Sequence, residues 1–545
     1  MSTQIFLELG LLIIAATLFG YIARKLRQPL IIGYIVVGVF LGPVFLNLVQ
    51  DVESFRALSE LGILLLLFLA GLELNTRVLK EVGSVSLMAG LAQIVFTFLG
   101  GVFVAGFLGF DFVQSVYVSL ALTFSSTVIV VKLLSDKHEL DSLHGRISIG
   151  ILLVQDFIVV LTLVVLAGLN TSFDQLHISV AFVLLKAGGL FLVALAFNKL
   201  VFARLFHDLA RSQDLLFMSA LSWCFLLAIA ADKLGLSIEI GAVLAGVSLA
   251  NLPYAHEMAA RISPLRDFFL VLFFILLGLG INTTYLLAGL PSIILLSIFV
   301  LVGNTVIVVL ILRRFNYTMK TCLLTGISIA QISEFSLVLV ALGSSLGHIG
   351  PEIVSVVTGI GIVTMTVSSY MINYSQQIYE KLKYYLIRFE GLNPSKDAPK
   401  IKKSYDLVLV GYNRMGRAML SGLKAKASLL IVDYDPHWMG QVKHDFLYGD
   451  VSNPDIMEKI IQAKPRVLFS TVQEFDENLE LLKKAKKASP ATKVILRANN
   501  SDDVHKFYEN GADVVILPSM VAGKEAANTV TDYLNIKREK RKQKK

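Results

Sequence analysis

Cysteine is almost absent from this 545-residue sequence, which contains only Cys224 and Cys322. Disulfide frameworks and thiolate metal sites both require several cysteines at defined spacings. Each cysteine here lies inside an apolar stretch, far from the other. The sequence therefore excludes both kinds of site, and we expect the two cysteines to be core packing residues.

Charged residues are also scarce, at 17% of the chain against 55% hydrophobic residues, with a mean hydropathy of +0.70. This composition excludes an ordinary soluble protein. About 20 consecutive apolar residues cross a bilayer as a helix, and roughly thirteen such segments lie between residues 5 and 382. The sequence predicts an α-helical polytopic membrane protein with about 13 transmembrane helices.

The formal net charge of +8 is unevenly distributed between the connections of these segments. Every second connection is basic, and positive connections stay on the cytoplasmic side. We therefore expect a cell (inner) membrane protein with its N-terminus outside and its C-terminus in the cytoplasm, and no nucleic-acid binding. The basic residues are Arg24, Lys25, Arg27, Arg77, Lys80, Lys132, Lys137, Arg146, Lys199, Arg204, Arg211, Arg261, Arg266, Arg313, Arg314 and Lys320.

A change of composition marks a second domain. The membrane domain, 1–383, is followed by a basic, proline-containing linker, 384–404. In 405–534, short β-branched runs alternate with amphipathic helical stretches, which predicts a parallel sheet with crossover helices. We expect a cytoplasmic α/β Rossmann-like domain here, followed by a basic tail, 535–545.

The first predicted strand of this domain leads into Gly411-Tyr-Asn-Arg-Met-Gly416, a variant of G-x-G-x-x-G that opens a helix. Backbone N–H groups at that helix start can hold a phosphate, and Asp433, about 20 residues on, can accept hydrogen bonds from ribose hydroxyls. The candidate nucleotide-binding residues are Gly411, Asn413, Arg414, Met415, Gly416, Arg417, Asp433 and Asp450.

Asn413 replaces the middle glycine of that motif. Asparagine can still adopt a positive φ, but its side chain would crowd a dinucleotide pyrophosphate. The sequence therefore favours AMP as the adenine nucleotide, with NAD(H) and ATP as alternatives. A doubly wound domain without any ligand is the further alternative.

Asp156 is the only charged residue in the apolar stretch 147–169 and follows the neutral Gln155. A charged side chain at mid-bilayer costs roughly 2.5 to 3.5 kcal/mol, so such residues usually face a water-filled path, a counter-charge or a transported ion. The alternative is a polar residue that bonds a neighbouring helix. We interpret Asp156 as a functional residue.

Six ordered segments resemble the signatures of the monovalent cation:proton antiporter-2 family, Kef type. The second domain resembles the RCK/TrkA-N domain, whose strand-end pattern corresponds to Gly449-Asp-Val-Ser-Asn-Pro454. The membrane segments are LLLLFLAGLELNTRVL (64–79), LTFSSTVIVVKLL (122–134), GILLVQDFIVVL (150–161), GLSIEIGAVLAGVSLA (235–250), LFFILLGLGIN (272–282) and GISIAQISEFSLVL (326–339).

The resemblance implies a homodimeric potassium:proton antiporter with no covalent cofactor. It also implies an inverted-repeat fold with interrupted helices and transport by elevator-like alternating access. A proton and a potassium ion would compete at Asp156, because burial disfavours an ionised carboxyl group and a cation favours it. The ion-site residues carried over are Asp156, Gln155, Thr123, Ser125, Ser126, Thr127, Gln331 and Glu334; the alternative for each hydroxyl is interhelical hydrogen bonding alone.

The sequence departs from the broader superfamily at two positions. Gln155 occupies the place of a second acid in electrogenic sodium exchangers, so one titratable acid predicts one-for-one, electroneutral exchange. Asn304 stands where many relatives carry a lysine that partners the core carboxylate. Lys186 is also a cation inside a predicted span, where it serves either as a counter-ion or as a snorkelling anchor.

Regulation by glutathione is disfavoured relative to an adenine nucleotide. Arg497 matches an arginine that the family uses for glutathione, which makes it a candidate regulatory residue. Glutathione-gated members carry an acidic loop, whereas 256–267 reads HEMAARISPLRD, with two arginines between Glu257 and Asp267.

Three alternative functions stay open on the sequence. Sodium:proton exchange is the nearest one, and a nucleotide-regulated cation channel comes from a different class. A nicotinamide-dependent oxidoreductase is disfavoured, because the second domain contains no evident Tyr-x-x-x-Lys or His–acid pair. We expect a secondary transporter, not an enzyme.

Overall fold

The structure is a computed structural model of the whole chain. It describes residues 2–43, 45–49, 52–73, 84–137, 139–140, 142–167, 176–197, 212–315, 317–387, 404–423, 427–434, 442, 444–449, 451–452 and 454–542. Several predictions lie outside the described residues: the basic residues Arg77, Lys80, Lys199, Arg204 and Arg211, the nucleotide-site candidate Asp450, the linker segment 388–403 and the tail end 543–545.

Two compact units make up the chain. The first comprises Met1–Leu134, Arg146–Phe315 and Cys322–Lys381, and the second comprises Ser135–Gly145, Asn316–Thr321 and Leu382–Lys545. The first unit contains most of the long apolar helices, and the second contains a smaller α/β fold together with two short segments from the apolar region. Each unit has its own buried apolar core.

The helices that precede the α/β fold are α1 (Ser2–Lys25), α2 (Leu30–Leu41), α3 (Val52–Glu73), α4 (Ser84–Phe107), α5 (Phe112–Thr123), α6 (Thr127–Asp136), α7 (Leu143–Ala167), α8 (Leu176–Phe197), α9 (Gln213–Lys233), α10 (Ile238–Leu249), α11 (Ala255–Leu279), α12 (Thr283–Ala288), α13 (Leu290–Ile298), α14 (Thr305–Arg314), α15 (Met319–Ser328), α16 (Glu334–Ser345), α17 (Pro351–Asn373) and α18 (Ser375–Ile387). A π-helical segment, Phe299–Asn304, joins α13 to α14.

Within the described part of the chain, nine helices are long and apolar enough to cross a membrane, and four shorter apolar helices accompany them. Together these apolar segments of the described residues match the predicted number of about 13, and the predicted fold class is confirmed. Cys224 and Cys322 are both buried and form no disulfide, as expected for packing residues.

The apolar helices pack in two groups. The first group is formed by α1, α2, α3, α9, α10 and α11, and the second by α4, α5, α13, α14, α16 and α17; α2 also contacts α17. Close helix crossings in the first group depend on glycine: a Cβ atom at Gly246 would overlap the Phe68 carbonyl oxygen, and one at Gly278 would overlap that of Ile35. Small residues let backbones approach closely within a membrane.

The α/β fold is a six-stranded, fully parallel sheet in the order β3-β2-β1-β4-β5-β6. Its strands are β1 (Leu407–Val410), β2 (Leu429–Asp433), β3 (Asp445–Tyr448), β4 (Val467–Ser470), β5 (Lys493–Arg497) and β6 (Val514–Ile516). Its helices are α19 (Arg414–Gly422), α20 (Pro454–Gln462), α21 (Phe475–Ala488), α22 (Ser501–Glu509) and α23 (Pro518–Lys542).

The six strands lie within 405–534, the region where the alternating pattern predicts a parallel sheet, and the Rossmann-like prediction is confirmed. Strands β1 and β2 are buried at every position, as the central strands of a parallel sheet require. The strand order reverses between β1 and β4, where ligands of doubly wound folds bind at the carboxyl ends.

Candidate functional site

Two apolar helices are interrupted at the positions that the polar residues predict. The first break, 124–126, separates α5 from α6, and the second, 329–333, separates α15 from α16. A serine hydroxyl caps the helix after each break: Ser126 Oγ accepts from the N–H of Ile129, and Ser333 Oγ accepts from that of Phe335. Capping satisfies N–H groups that a helix start leaves unpaired.

The two breaks are in direct contact. Ser125 Oγ donates to the carbonyl oxygen of Ile329 at 2.7 Å. Ser125, Ser126 and Gln331 are fully enclosed, each with an exposed fraction of 0%. Two helix starts therefore point their partial positive charge into one polar region of an otherwise apolar unit.

Asp156 lies in α7 and contacts the helix that follows the first break. Thr127 Oγ1 donates to Asp156 Oδ2 at 2.7 Å, which holds the carboxyl group at the start of α6. Both side chains are half-buried, whereas the neighbouring Gln155 is fully buried. The structure thus brings the predicted residues Asp156 and Thr127 together.

Gln155 faces a different set of partners from Asp156. Its Oε1 accepts from the backbone N–H of Ser125 at 2.9 Å, and its Nε2 donates to Gln93 Oε1 at 2.6 Å. Gln93 also donates to the carbonyl oxygen of Thr123, at 3.2 Å, while the Thr123 hydroxyl donates within its own helix to Ser119. The Gln155 amide thus supports the first break through both of its polar atoms.

Sequence reasoning missed Gln93 and Thr97 of α4. Gln93 Nε2 donates to Thr97 Oγ1 at 3.0 Å, and Thr97 Oγ1 donates to Asn304 Oδ1 at 2.8 Å. All three side chains are fully buried. Two polar residues four positions apart inside an apolar span lie on one helix face, and that spacing is the signal that could have found them.

The second break supplies a buried amide and a buried carboxyl group. Both polar atoms of the Gln331 side chain have no hydrogen-bond partner among the described residues. Glu334, in the first turn of α16, is buried, and Ser333 Oγ lies 3.5 Å from its Oε2. Buried polar atoms normally have partners, so the Gln331 amide is suited to a polar ligand.

Two further acids lie within electrostatic range of Asp156: Glu334 and Glu73. Glu73 ends α3 and is exposed, and sequence reasoning did not select it. It belongs to the first helix group, whereas Glu334 belongs to the second. Carboxylates near the site favour the approach of cations.

The two polar positions that the sequence left open have different surroundings. Asn304 ends the π-helical segment, is fully buried and accepts the hydrogen bond from Thr97. Lys186 is exposed, and its Nζ donates to the carbonyl oxygen of Leu234, which follows α9, at 2.9 Å. Lys186 therefore caps a helix end.

The α/β fold places the glycines of the variant motif where a side chain would not fit. Gly411 has φ +90°, and a Cβ atom on it would overlap the Thr471 hydroxyl. Gly416 is buried, and a Cβ atom there would overlap the Gly411 carbonyl oxygen. These glycines allow the turn to pass tightly from β1 into α19.

Asn413 does not adopt the positive φ that asparagine tolerates. It has φ −73° and ψ −170° and forms the cap of α19, where its Oδ1 accepts from the N–H groups of Met415 and Gly416 at 3.0 and 3.1 Å. Its Nδ2 donates to the Thr471 carbonyl oxygen at 3.1 Å. The side-chain oxygen occupies N–H groups that the motif normally offers to phosphate, which explains the extended conformation.

The remaining described nucleotide-site candidates surround the carboxyl ends of the strands. Asp433 ends β2, is buried and accepts from the N–H of Tyr412. The exposed Arg414 and Arg417 lie in the first turn of α19. Asn413 occupies the N–H groups of Met415 and Gly416, and the two arginine side chains are the positively charged groups at this helix start.

Arg497 ends β5 near the same edge. With the Gln473 amide oriented so that its oxygen faces the guanidinium group, Arg497 Nη1 and Nη2 donate to it at 3.0 and 3.2 Å. Gln473 follows β4, and its carbonyl oxygen accepts from Asn499 Nδ2 at 2.7 Å. Arg497 is therefore tied to the loop after β4, beside the switch point of the sheet.

No group of three or more His, Cys, Asp or Glu residues with metal-ligand geometry occurs among the described residues. Potassium prefers oxygen ligands such as carbonyl groups. The two breaks contain hydroxyl, carbonyl and amide oxygens, which are ligands of this type.

Comparison with protein families matches the two units separately. Residues 13–373 match the sodium/hydrogen exchanger transmembrane family, and residues 407–518 match the TrkA-N domain. Asp156, Gln155 and both breaks fall in the first match, and the variant glycine motif falls in the second.

Two curated relatives and one solved structure illustrate these similarities. The chain is 34% identical to K(+) efflux antiporter 6 of Arabidopsis thaliana over 62% of this chain, and the match spans 58% of the plant protein. It is 27% identical to the glutathione-regulated potassium-efflux system protein KefC of Enterobacter sp. (strain 638), over 92% of this chain and 80% of that protein. The sodium proton antiporter MjNhaP1 from Methanocaldococcus jannaschii is similar in fold, with a TM-score of 0.53 and 18% identity over 70% of this chain and 99% of that one.

Proposed function

We propose that this chain, which belongs to the sodium/hydrogen exchanger family and whose relatives include Kef-type potassium-efflux proteins, exchanges potassium ions for protons across the cell membrane. One observation carries the proposal: the carboxyl group of Asp156, inside a membrane span, is held by Thr127 at a helix break. The names of the potassium-efflux relatives support potassium as the cation.

Competition at one acid provides the exchange. A proton neutralises Asp156, and a potassium ion compensates the charge of the ionised carboxylate. With either ligand bound, burying the site requires less free energy than burying an empty, ionised carboxylate. Hydroxyl and carbonyl oxygens at 123–127 and the Gln331 amide complete the cation shell, with Glu334 beside it. The Gln331 amide has no hydrogen-bond partner in the part of the chain that the structure describes, which supports this role.

Exchange is proposed to be electroneutral. Gln155 cannot titrate, and Asn304, the position of the usual lysine, is neutral and bonded to Thr97. Loading one potassium ion therefore replaces one proton. The stoichiometry follows from the single carboxyl group held at the first break.

Alternating access is proposed to occur by an elevator motion of the second helix group, together with the interrupted helices, against the first. Two features support it: the most extensive helix contacts stay within groups, and the glycine-dependent crossings make the first group a close-packed scaffold. The family resemblance also implies a homodimer, with the N-terminus outside and the second domain, 405–534, in the cytoplasm. We retain 1–383 as the membrane domain, 384–404 as the linker and 535–545 as the tail.

The TrkA-N domain is proposed to bind an adenine nucleotide and to gate the exchange. The carboxyl edge of β1, β2 and β4 provides Asp433 for ribose, and Arg414 and Arg417 provide charge for phosphate. Asn413 occupies two helix N–H groups, which favours a mononucleotide such as AMP over a dinucleotide. Arg497 is retained as a candidate regulatory residue.

Flux in proteoliposomes tests the transport proposal. A potassium gradient imposed on vesicles that contain the full chain should drive opposite proton movement, recorded with a pH-sensitive dye inside. Asp156→Asn should abolish the exchange, whereas Asp214→Asn, an exposed acid at the start of α9, serves as the matched control and should exchange normally. Potassium flux without proton movement would indicate a channel, and a sodium gradient that drives faster exchange would indicate a sodium:proton antiporter.

A further inference from the structure

A continuous series of neutral hydrogen bonds runs from the first helix break to the π-helical segment. We call Gln155, Gln93, Thr97 and Asn304 the amide relay. Each member donates to the next in the same direction, and the backbone N–H of Ser125 donates to the first. The relay therefore connects α7, α4 and the end of the π-helical segment with the segment 124–126.

Because the relay is completely buried, the loss of any of its hydrogen bonds is unfavourable for the fold. Every relay side chain has an exposed fraction of 0%, and so do Thr123 and Ser125. A polar group left unpaired in such surroundings destabilises the fold by more than an ordinary hydrogen bond stabilises it, because the group loses its hydration without gaining a partner. Bonds that share one direction also polarise one another. Loss of one hydrogen bond of the relay therefore also weakens the hydrogen bonds next to it.

The relay is attached to the proposed ion ligands at two atoms. The Ser125 N–H is bonded to Gln155 Oε1, and the Thr123 carbonyl oxygen accepts from Gln93 Nε2. These two contacts fix the backbone on both sides of Phe124, where regular helical hydrogen bonds are missing. The hydroxyl of Ser125 extends the connection to Ile329 in the second break.

We propose that the amide relay sets the cation affinity of the Asp156 site, with Gln93 and Thr97 as positioning residues that hold the first break in its binding geometry. The inference depends on the proposed exchange at Asp156. Gln155 acts in it through the backbone of Ser125, because both polar atoms of its amide are bonded to protein groups. Neither Gln93 nor Thr97 contacts Asp156 by a hydrogen bond among the described residues.

Thr97→Val tests the inference, because it keeps the side-chain shape and removes both hydrogen bonds of the hydroxyl. In proteoliposomes of the full chain, we expect the potassium KM to rise about five- to tenfold while the maximal rate changes less than about twofold, since the binding geometry is lost and Asp156 is kept. Thr97→Ser keeps the hydroxyl and should restore the normal KM.

Thr358→Val is the matched control. Its hydroxyl is also fully buried but donates only within its own helix, to the carbonyl oxygen of Val354. The control should leave the potassium KM unchanged. Equal effects of the two valine substitutions, or a fall in maximal rate with an unchanged KM, would overturn the inference.

Non-additivity provides a second measurement if Thr97→Val fails to fold. Gln155→Leu and Asn304→Leu change the two ends of the relay, which have no hydrogen bond to each other. If the relay acts as one unit, the double variant should have a KM within about twofold of the worse single variant. KM increases that multiply would show independent roles and overturn the inference.

The wild-type protein separates this inference from the proposed function. A wild-type protein that moves no protons against potassium would contradict the proposed exchange itself. A wild-type protein that exchanges normally, with a Thr97→Val variant of normal KM, would contradict the relay alone.

Discussion

Asn413 is the residue at which the proposed nucleotide site departs most from the usual glycine motif. Its side-chain oxygen already accepts two N–H groups of α19. Asn413→Gly should free those groups for phosphate at a cost of only a few tenths of a kcal/mol in helix stability. We expect binding of NADH to strengthen more than binding of AMP, measured by isothermal titration calorimetry on the full chain.

Asn413→Asp is the control for this prediction. It keeps an oxygen over the same N–H groups but adds a negative charge and removes the donor to Thr471. Both nucleotides should bind more weakly. Unchanged nucleotide affinities in the glycine variant would show that the helix start takes no part in binding.

Asp513 is the residue whose charge stabilises the edge of the sheet. Burial alone would raise its pKa, but hydrogen bonds from Lys486, Lys493 and the N–H of Val494 outweigh burial and hold the pKa of this carboxyl well below its usual range. A depressed folded-state pKa contributes stability above the unfolded value and loses it as the pH falls toward the folded value.

Asp513→Asn should therefore destabilise β5 and β6 by about 1 kcal/mol at pH 7, a typical upper value for a partly exposed ion pair. Hydrogen–deuterium exchange of these strands in the full chain measures the change. The difference between variant and wild type should shrink as the pH falls below about 4, where an unperturbed aspartate is protonated. A difference that persists in acid would show that packing, not charge, is responsible.

At the scale of elements, the crossing of α3 and α10 depends on the absence of a side chain. A Cβ atom at Gly246 would overlap the Phe68 carbonyl oxygen, so Gly246→Val must separate the two helices. Overpacking of this kind costs typically about 1 to 3 kcal/mol. We expect a lower melting temperature in detergent, measured by the loss of the monodisperse size-exclusion peak after heating.

Gly10→Ala in α1 is the control for that substitution, because nothing lies within 4 Å of a Cβ atom there. Alanine is a better helix former than glycine, so the control should be neutral or slightly stabilising. Equal melting temperatures for the two variants would show that the α3–α10 crossing does not require glycine.

In the interrupted helices, the backbone groups and the side chains have different hydrogen-bonding roles. Serine caps satisfy the helix starts, which leaves the Gln331 amide and the Asp156 carboxyl group for other partners. Non-helical backbone at membrane depth is tolerated only where it is buried in protein or lines a water-filled cavity. The breaks are thus stable because Ser125, Gln155 and Gln93 form hydrogen bonds with backbone groups that regular helices would otherwise pair.

At the scale of the whole molecule, the proposed topology places the connection after α16 outside the cell and the start of the second domain inside. Single cysteines at the exposed Ser345 and Ser404 test it, because the native cysteines Cys224 and Cys322 are buried. Ser345→Cys should react with a membrane-impermeant maleimide in intact cells. Ser404→Cys should react only after the membrane is permeabilised, and the opposite pattern would reverse the proposed orientation.

Sequence alone determined the properties that depend on neighbouring residues. The length of the apolar segments predicted the membrane spans, and the alternation of β-branched and amphipathic stretches predicted the α/β fold. The single charge in an apolar segment indicated Asp156 as a functional residue. Polar residues also marked both helix breaks correctly. Each of these signals is local, because bilayer thickness and backbone periodicity act on contiguous segments.

Tertiary structure decided which polar groups meet. The bond between Thr97 and Asn304 joins residues 207 positions apart, and the bond between Ser125 and Ile329 spans 204 positions. No local pattern specifies such pairs, since buried polar groups take whichever partners the packed helices bring within reach. The same reason explains Asn413, whose conformation follows from its bonds to α19 and Thr471, and Gln155, whose neutral amide proved to be bonded to the backbone of the break.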